Sequence, residues 1–423
     1  MGDRREPASG PAPPRVALFT NNYLPRVSGV AVAVDFLERA LRAAGHETLV
    51  VAPDYGGEPE LPGARVRRVR SIQLRRWGAA IPLPLLDAPL REVALFAPDV
   101  LHAHHPFLNG EAAVCAADAL GLPLVYTFHT LYESFLHYVR LDFGPVARGV
   151  RAFVRRFVER CDLVVAPTEP VRRHLVSEWG VSVPTATAPT GLDPERFSAR
   201  ALVGRGATRA ALGLGGRAPL LVWAGRVAEE KDPRIALATL AALVERGHDA
   251  GLVFLGDGPL AGGLARQAKR LGLDGRVAFA GFVDQERLPA LLAAGDVFLF
   301  TSWNDTQGIV AYEAWAAGLP IVAVPSMAGQ AVVEPGRNGL LAGAEARELA
   351  SAVEALRDRP ELGNAPFPWE RFGPAALAAH WRGLYAEAEA AGRRSAAGIT
   401  ARAARVPGRF TRRRAPLVGA DSD

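Results

Sequence analysis

The chain has 423 residues, 49% hydrophobic and 22% charged, long enough for two ordinary cores. No uncharged apolar run approaches the roughly 18 residues that would signal a membrane span. The net charge of +5 is local: residues 393 to 423 hold eight Arg against two Asp, leaving −1 for the remainder, so the basic character belongs to a tail and nucleic-acid binding is not expected.

Residues 1 to 14 are rich in Pro, Gly and charge and read as disordered. They lack the apolar stretch of a secretory leader, and Glu6 breaks the myristoylation pattern. RVALFT (15–20) reads as a buried parallel strand, followed by the loop NNYLPRVSG, a helix from about Val30 to Ala44 and a second strand in ETLVVAP. This opens a βαβ unit. The loop holds one glycine, Gly29, and no G-x-G-x-x-G, which argues against a dinucleotide enzyme. A lone glycine before a helix still lets a phosphate approach the backbone. Residues 61 to 85 read as irregular and arginine-rich, with Arg65, Arg67, Arg68, Arg70, Arg75 and Arg76 around Trp77. DVLHAHH (99–105) is a strand ending in His102, His104 and His105. No nearby Asp, Glu or Cys completes a metal site, and Cys115 and Cys161 lack metal-ligand spacing.

In PLVYTFHTLYESFLHYV (123–139) a strand ends at His129, and Tyr132, Glu133, His137 and Tyr138 follow. Open α/β sheets bind ligands at the carboxyl ends of their strands, which marks His129. Residues 145 to 161 form a basic amphipathic helix: Val150, Phe153, Val154, Phe157 and Val158 recur at helical spacing, with Arg148, Arg151, Arg155 and Arg156 largely opposite. A surface helix packed on its own domain and a membrane-facing helix both fit that pattern. DLVVAP is a further strand, and TATAPTGLDPERF closes a first domain near Phe197.

Residues 198 to 217 read as a linker with a short helix, and PLLVWAGRVAEEKD opens a second α/β domain. The chain has only two lysines, Lys231 and Lys269. A sequence that otherwise uses Arg keeps a compact ammonium in this loop, where a point charge suits a diphosphate. GLVFLGDGP gives a strand and a Gly-rich turn, and RVAFAG another strand. The central stretch is TSWNDTQGIVAYEAWAAGLP (301–320), where a strand, DVFLFT, runs into a helix starting near Gly308. That helix is apolar almost all round except for Glu313, and a buried carboxylate needs a hydrogen-bonding partner. Asp305 lies in the preceding turn, whose free amides and helix dipole suit an anion. PIVAV, NGLLA, a helix to about Arg359 and a last helix within 367–390 complete the fold.

The central stretch resembles the E-x7-E signature of retaining glycosyltransferases of family 4, which have the GT-B fold: two facing doubly wound domains with a last helix crossing back. The resemblance covers roughly residues 15 to 392. It implies domains at 15–197 (acceptor) and 198–370 (nucleotide sugar), and a crossing helix at 371–392. Asp305 would contact the donor sugar; Thr306, Gln307 and Gly308 would hold the diphosphate, and Glu313 the ribose. GR-x4-K matches the phosphate clamp at Arg226 and Lys231. Gly29 would face the diphosphate across the cleft, and Gly256, Asp257, Phe282 and Val283 would border the nucleobase. The first acid is usually Glu, so Asp305 leaves the sugar open.

HT-x-YE-x4-Y from His129, together with VSGVA and TQG, is similar to the diacylglycerol glucosyltransferases within that family. This implies a catalytic-site role for His129 beside Asp305, Arg226 and Lys231, and acceptor contacts at Tyr23, Tyr132 and His137. It also implies a lipid acceptor and a cytoplasmic protein lying on the inner membrane face. Arg67, Arg68, Trp77, Arg148, Arg151, Arg155 and Arg156 would meet anionic lipid. No cofactor or required metal is expected, since D-x-D occurs only at Asp421–Asp423. The expected donor is a nucleotide-diphosphate hexose, UDP-linked. A GDP-mannose-dependent mannosyltransferase, a GT-B sugar-nucleotide 2-epimerase and a non-catalytic binding protein remain as alternatives, and the oligomeric state is open.

Overall fold

The computed structural model describes residues 13–56, 63–74, 79–84, 89–132, 144–198 and 204–403. Trp77 and His137 lie outside the described residues, as do Arg75, Arg76, Glu133, Tyr138 and almost all of the stretch expected to be a disordered N-terminus.

The first half is a parallel sheet. Its strands are β1 (Val16–Phe19), β2 (Thr48–Pro53), β3 (Val66–Val69), β6 (Val100–Ala103), β7 (Leu124–Thr127), β8 (Leu163–Ala166) and β9 (Thr185–Thr187), in the order β3-β2-β1-β6-β7-β8-β9. A short antiparallel pair, β4 (Ser71–Leu74) with β5 (Ala79–Pro82), stands beside it. Residues 61–85, expected to be irregular, therefore carry β3 and this ladder. The second half is a six-stranded parallel sheet of β10 (Leu220–Ala224), β11 (Gly251–Leu255), β12 (Val277–Phe279), β13 (Val297–Phe300), β14 (Ile321–Ala323) and β15 (Gly339–Leu341), ordered β12-β11-β10-β13-β14-β15. Both sheets reverse direction beside their first strand, at β1/β6 and β10/β13. That is where doubly wound sheets open a crevice for ligands.

The central strands are apolar throughout because both faces are covered. Ala17 and Phe19 of β1 face one core layer with Leu101, Tyr126 and Val164, while Val16 and Leu18 face another with Val50, Val100 and Val125. The helix Gly29–Ala43 presents Val34, Leu37 and Leu41 to this second layer, and Ser28 caps it by accepting from the Ala31 amide at 3.2 Å.

The last helix, Pro374–Ala403, leaves the second half and packs Leu377, Trp381, Leu384, Tyr385 and Ala388 into that same layer. It runs eleven residues past the boundary at 392 expected from sequence, because the stretch that follows is rich in Arg and Ala and has no proline before Pro407. Among the described residues no helix is long and apolar enough to cross a membrane.

Candidate active site

The carboxyl ends of the two sheets face each other across a cleft of about 1210 Å³. Every donor-side residue expected from sequence lines it: Gly29, Arg226, Lys231, Gly256, Asp257, Phe282, Val283, Asp305, Thr306, Gln307, Gly308 and Glu313, with His129 opposite. These residues come from six separate strand-to-helix junctions, which only the fold brings together.

The wall from the second half is built outward from β13. Trp223 Nε1 donates to Thr301 Oγ1 at 2.9 Å, and Thr301 Oγ1 donates to the Lys231 carbonyl at 2.8 Å. The loop carrying Lys231 is thereby fixed to the strand end. Lys231 Nζ pairs with the Asp305 carboxylate. Arg226 is exposed to the cleft. Gly308 caps the helix Ile309–Ala316 at φ +69°, and a Cβ there would run into the Phe300 ring, so both backbone and space require glycine. Gly256 is similarly bound: at φ +141° its missing side chain leaves room for the Gly225 carbonyl. At Gly29, by contrast, a Cβ would meet open space, and the residue opens its helix directly onto the cleft.

Glu313 is 4% exposed and has a partner that sequence reasoning missed. Arg196, from the exit loop of the first half, reaches its Oε1 at 3.2 Å and also donates to the Gln285 carbonyl at 2.8 Å. Burial pushes the Glu313 carboxyl up, and Arg196 pulls it back down. GLDPERF marks the exit loop in sequence, but nothing in it signals a partner 117 residues later.

The turn Thr306–Gln307 is clasped by the first half. Thr306 Oγ1 donates to the His129 carbonyl at 2.8 Å, and Thr168 Oγ1 donates to the Thr306 carbonyl at 2.9 Å. The Gln307 amide bonds Thr190 twice, accepting from its N–H at 2.9 Å and donating to its carbonyl at 3.1 Å.

On the first-half wall, His129 is half-buried and its Nε2 lies 2.9 Å from His104 Nδ1. His105 accepts from the Asn21 amide at 3.1 Å and lines the cleft beside it. Burial, then the neighbouring His105, pushes the His129 imidazole down to about 3. Among the described residues no group of three or more His, Cys, Asp or Glu is placed to hold a metal ion.

Other expected contacts lie elsewhere. Tyr23 is fully buried in the core beside β1, with the Arg68 guanidinium 5.8 Å over its ring, and does not line the cleft. Tyr132 packs edge-on against Phe107 at 4.9 Å and is likewise outside the lining. Arg68 turns inward, donating to the Leu24 carbonyl at 2.8 Å and the Pro53 carbonyl at 3.2 Å, and Arg67 pairs with Glu92 at 3.3 Å. These two arginines satisfy backbone and side-chain acceptors within the domain and do not form an outward basic face. In the helix Gly144–Val158, Val154, Phe157 and Val158 are buried, and Arg151 lies 5.4 Å over the Trp179 ring. Arg148, Arg155 and Arg156 form its outer face, and the half-exposed Phe153 stacks on the Phe107 ring at 5.4 Å at the edge of that face.

Two facing Rossmann-like sheets, a polar cleft between their carboxyl ends and a last helix crossing back define a glycosyltransferase of the GT-B fold. Residues 27–196 match the family described as Glycosyltransferase Family 4, and residues 218–359 match Glycosyl transferases group 1. The alpha-monoglucosyldiacylglycerol synthase of Streptococcus pneumoniae is 27% identical over 354 residues, covering 83% of this chain and 80% of that protein. The GDP-mannose-dependent alpha-mannosyltransferase of Mycolicibacterium smegmatis is 30% identical over 370 residues, covering 83% and 91%. Anabaena HepE, solved in complex with UDP-glucose, superposes with a TM-score of 0.64 at 20% identity over 92% of this chain and 100% of that one, a likeness of fold. The chain belongs to glycosyltransferase family 4: it is a hexosyltransferase that moves a sugar from a nucleotide sugar.

Proposed function

We propose that the protein is a retaining transferase that moves glucose or galactose from the UDP-sugar to a membrane lipid hydroxyl such as that of 1,2-diacylglycerol. One observation carries this reading. The strand end at His129 and the turn Thr306–Gln307–Gly308, whose sequences resemble the diacylglycerol glucosyltransferases, are bonded to each other across the cleft. The similarity to a glucosyldiacylglycerol synthase over most of both chains supports the same acceptor class.

In this reading Arg226, Lys231 and the amides leading into the helix Ile309–Ala316 take the diphosphate. Stabilising that leaving group is the main catalytic contribution, because preorganised charge aimed at a developing anion is worth more in a dry cleft than in water. Lys231 exchanges Asp305 for phosphate as the donor enters, and Asp305 turns to the sugar. Glu313, paired with Arg196, accepts from the ribose hydroxyls. Gly256, Asp257, Phe282 and Val283 border the base. The outer face of the helix Gly144–Val158, with Arg148, Arg155, Arg156 and Phe153, rests on anionic lipid from the cytoplasmic side.

A GDP-mannose donor is the second reading, favoured by the 30% identity to a mannosyltransferase over 91% of its length. UDP-glucose, UDP-galactose and GDP-mannose, each offered with diacylglycerol in mixed micelles and scored for nucleotide release and glycolipid, decide between them. Turnover with GDP-mannose alone overturns the first reading, and sugar conversion without acceptor points to an epimerase.

A further inference from the structure

His104 and His129 share one hydrogen bond, 2.9 Å between His104 Nδ1 and His129 Nε2, so one ring must donate and the other accept. Both rings are neutral. Burial and the surrounding imidazoles hold His104 well below the usual histidine range, and His129 is pushed down to about 3. Which ring donates can be assigned from the rest of the hydrogen-bond pattern.

His104 is 1% exposed, and its Nε2 is buried with no hydrogen-bond partner. His102, whose ring centroid is 4.1 Å away, cannot serve it. Both His102 nitrogens are taken, Nδ1 by the Tyr385 hydroxyl at 3.0 Å and Nε2 by Thr127 Oγ1 at 2.7 Å. If His129 donated, His104 would carry its proton on Nε2 and bury an N–H with nothing to accept it. If His104 donates from Nδ1, what is left over is a bare acceptor. Orphaned buried donors are the rarer and costlier case. His104 therefore donates, and His129, with Nε2 accepting, carries its own proton on Nδ1, the ring nitrogen left for the cleft it lines.

We infer that His104 is a positioning residue that fixes His129 as the Nδ1–H tautomer, so that His129 offers the bound substrates a hydrogen-bond donor and not a base. The functional half of this inference rests on the reading of His129 as a site residue. The tautomer itself rests on the hydrogen-bond geometry together with the preference of buried imidazoles for the neutral form.

The test uses the full chain labelled with 15N-histidine, with the His129 ring signals assigned by their loss in His129→Asn. The expected spectrum shows a protonated Nδ1 and an unprotonated Nε2 for His129. His104→Leu, which removes the partner, should lower kcat about 10- to 100-fold, the range for losing a group that orients a functional imidazole, while the donor KM moves little. His104→Asn places an amide N–H where Nδ1 was and should recover most of that loss. His104→Asp places an acceptor there, reverses the His129 tautomer in the spectrum and should be as impaired as His104→Leu. The Asn and Asp variants carry the comparison if the Leu variant fails to fold. An unprotonated Nδ1 in the unmodified protein, or full turnover in a folded His104→Asp variant, overturns the inference. Full activity in His129→Ala beside the expected tautomer overturns the site reading and, with it, the functional half alone.

Discussion

The Thr306 hydroxyl donates to the His129 carbonyl at 2.8 Å, joining the turn expected to hold the diphosphate to the strand end expected to face the sugar. With Thr168 and the paired contact of Gln307 to Thr190, it makes this turn of the second half part of the interface between the halves. A donor seated on this turn is seated against both halves at once. Each such hydrogen bond contributes a net ~0.5–1.5 kcal/mol. Thr306→Val should therefore raise the donor KM roughly 2- to 10-fold and give a more open particle by small-angle scattering. Unchanged kinetics with unchanged scattering would count against the coupling.

The cation pair gives a sharper test. In the proposed reading, Arg226→Ala or Lys231→Ala would remove a charge-assisted contact to the departing diphosphate. Loss of one preorganised group of this kind typically lowers turnover about 100- to 1000-fold. Lys231→Ala also leaves Asp305 without its ion-pair partner, so the structure of that variant should be checked by circular dichroism before its rate is read. Near-normal nucleotide release in both variants removes the clamp from this pair.

Arg196 and Glu313 should fail together. Arg196→Leu leaves a buried carboxylate whose pKa is already raised by burial, and removing one partner of a buried pair is destabilising by about 3–5 kcal/mol. Where the variant folds, the Glu313 carboxyl loses the partner that lowers its pKa, which should rise further, so UDP should bind more weakly and lose more affinity as pH falls. Glu313→Gln should weaken UDP binding without that added pH dependence. Calorimetric titration at two pH values separates the outcomes, and equal affinities throughout would rule out the ribose contact.

Acid should loosen the histidine stack. His102 and His104 have folded-state pKa values well below 6.5, chiefly through burial, so the unfolded chain binds protons there that the folded chain does not. Their stabilising contribution is present above pH 6.5 and is lost as pH falls below it, at about 1.4 kcal/mol per pH unit for each histidine. Glu313, raised in the folded state, works in the opposite direction. The midpoint of thermal unfolding should drop between pH 7 and pH 5, and less steeply in His102→Asn. A flat profile would mean that these rings take up protons while folded.

Surface charge on the helix Gly144–Val158 is the handle on the membrane reading. Each arginine near an anionic surface adds about 1 kcal/mol at most, and salt screens it. Replacing Arg148, Arg155 and Arg156 by Glu should abolish flotation with anionic vesicles at low salt while leaving turnover on a water-soluble acceptor intact. Equal binding to neutral and anionic vesicles would refute an electrostatic contact.

Sequence made legible whatever is local. The buried strand in RVALFT, the strand–turn–helix at 301–320 and the single carboxylate on an apolar helix follow from periodicity and the cost of burying charge. The residues expected on the donor side, Gly29 to Glu313, come from the resemblance to family 4 motifs, and all of them line the cleft. What stayed hidden depends on long-range placement. Arg196 meets Glu313 through the packing of an exit loop, and Arg68 turns inward because carbonyls of two other segments lie within its reach. Tyr23 and Tyr132 have the chemistry of ligand contacts, but their rings are used as core. Alternation cannot reveal that in so apolar a neighbourhood. The histidines in and just after β6 have no acidic neighbours in sequence, and the link from His104 to His129 needed the parallel pairing of His102 with Val125 to become visible.

The helix Pro374–Ala403 matters for anyone recombining this protein with its relatives. By position in the chain it belongs to the second half, yet Leu377, Trp381, Leu384, Tyr385 and Ala388 complete the first half's core. Tyr385 also bonds His102 beneath the wall that carries His129. A chimera joined once between the halves, just before residue 204, would import a foreign version of that core along with a foreign second half. Exchanging the second half cleanly therefore needs two crossovers, one there and one before Pro374, so that each half keeps the residues that fold it.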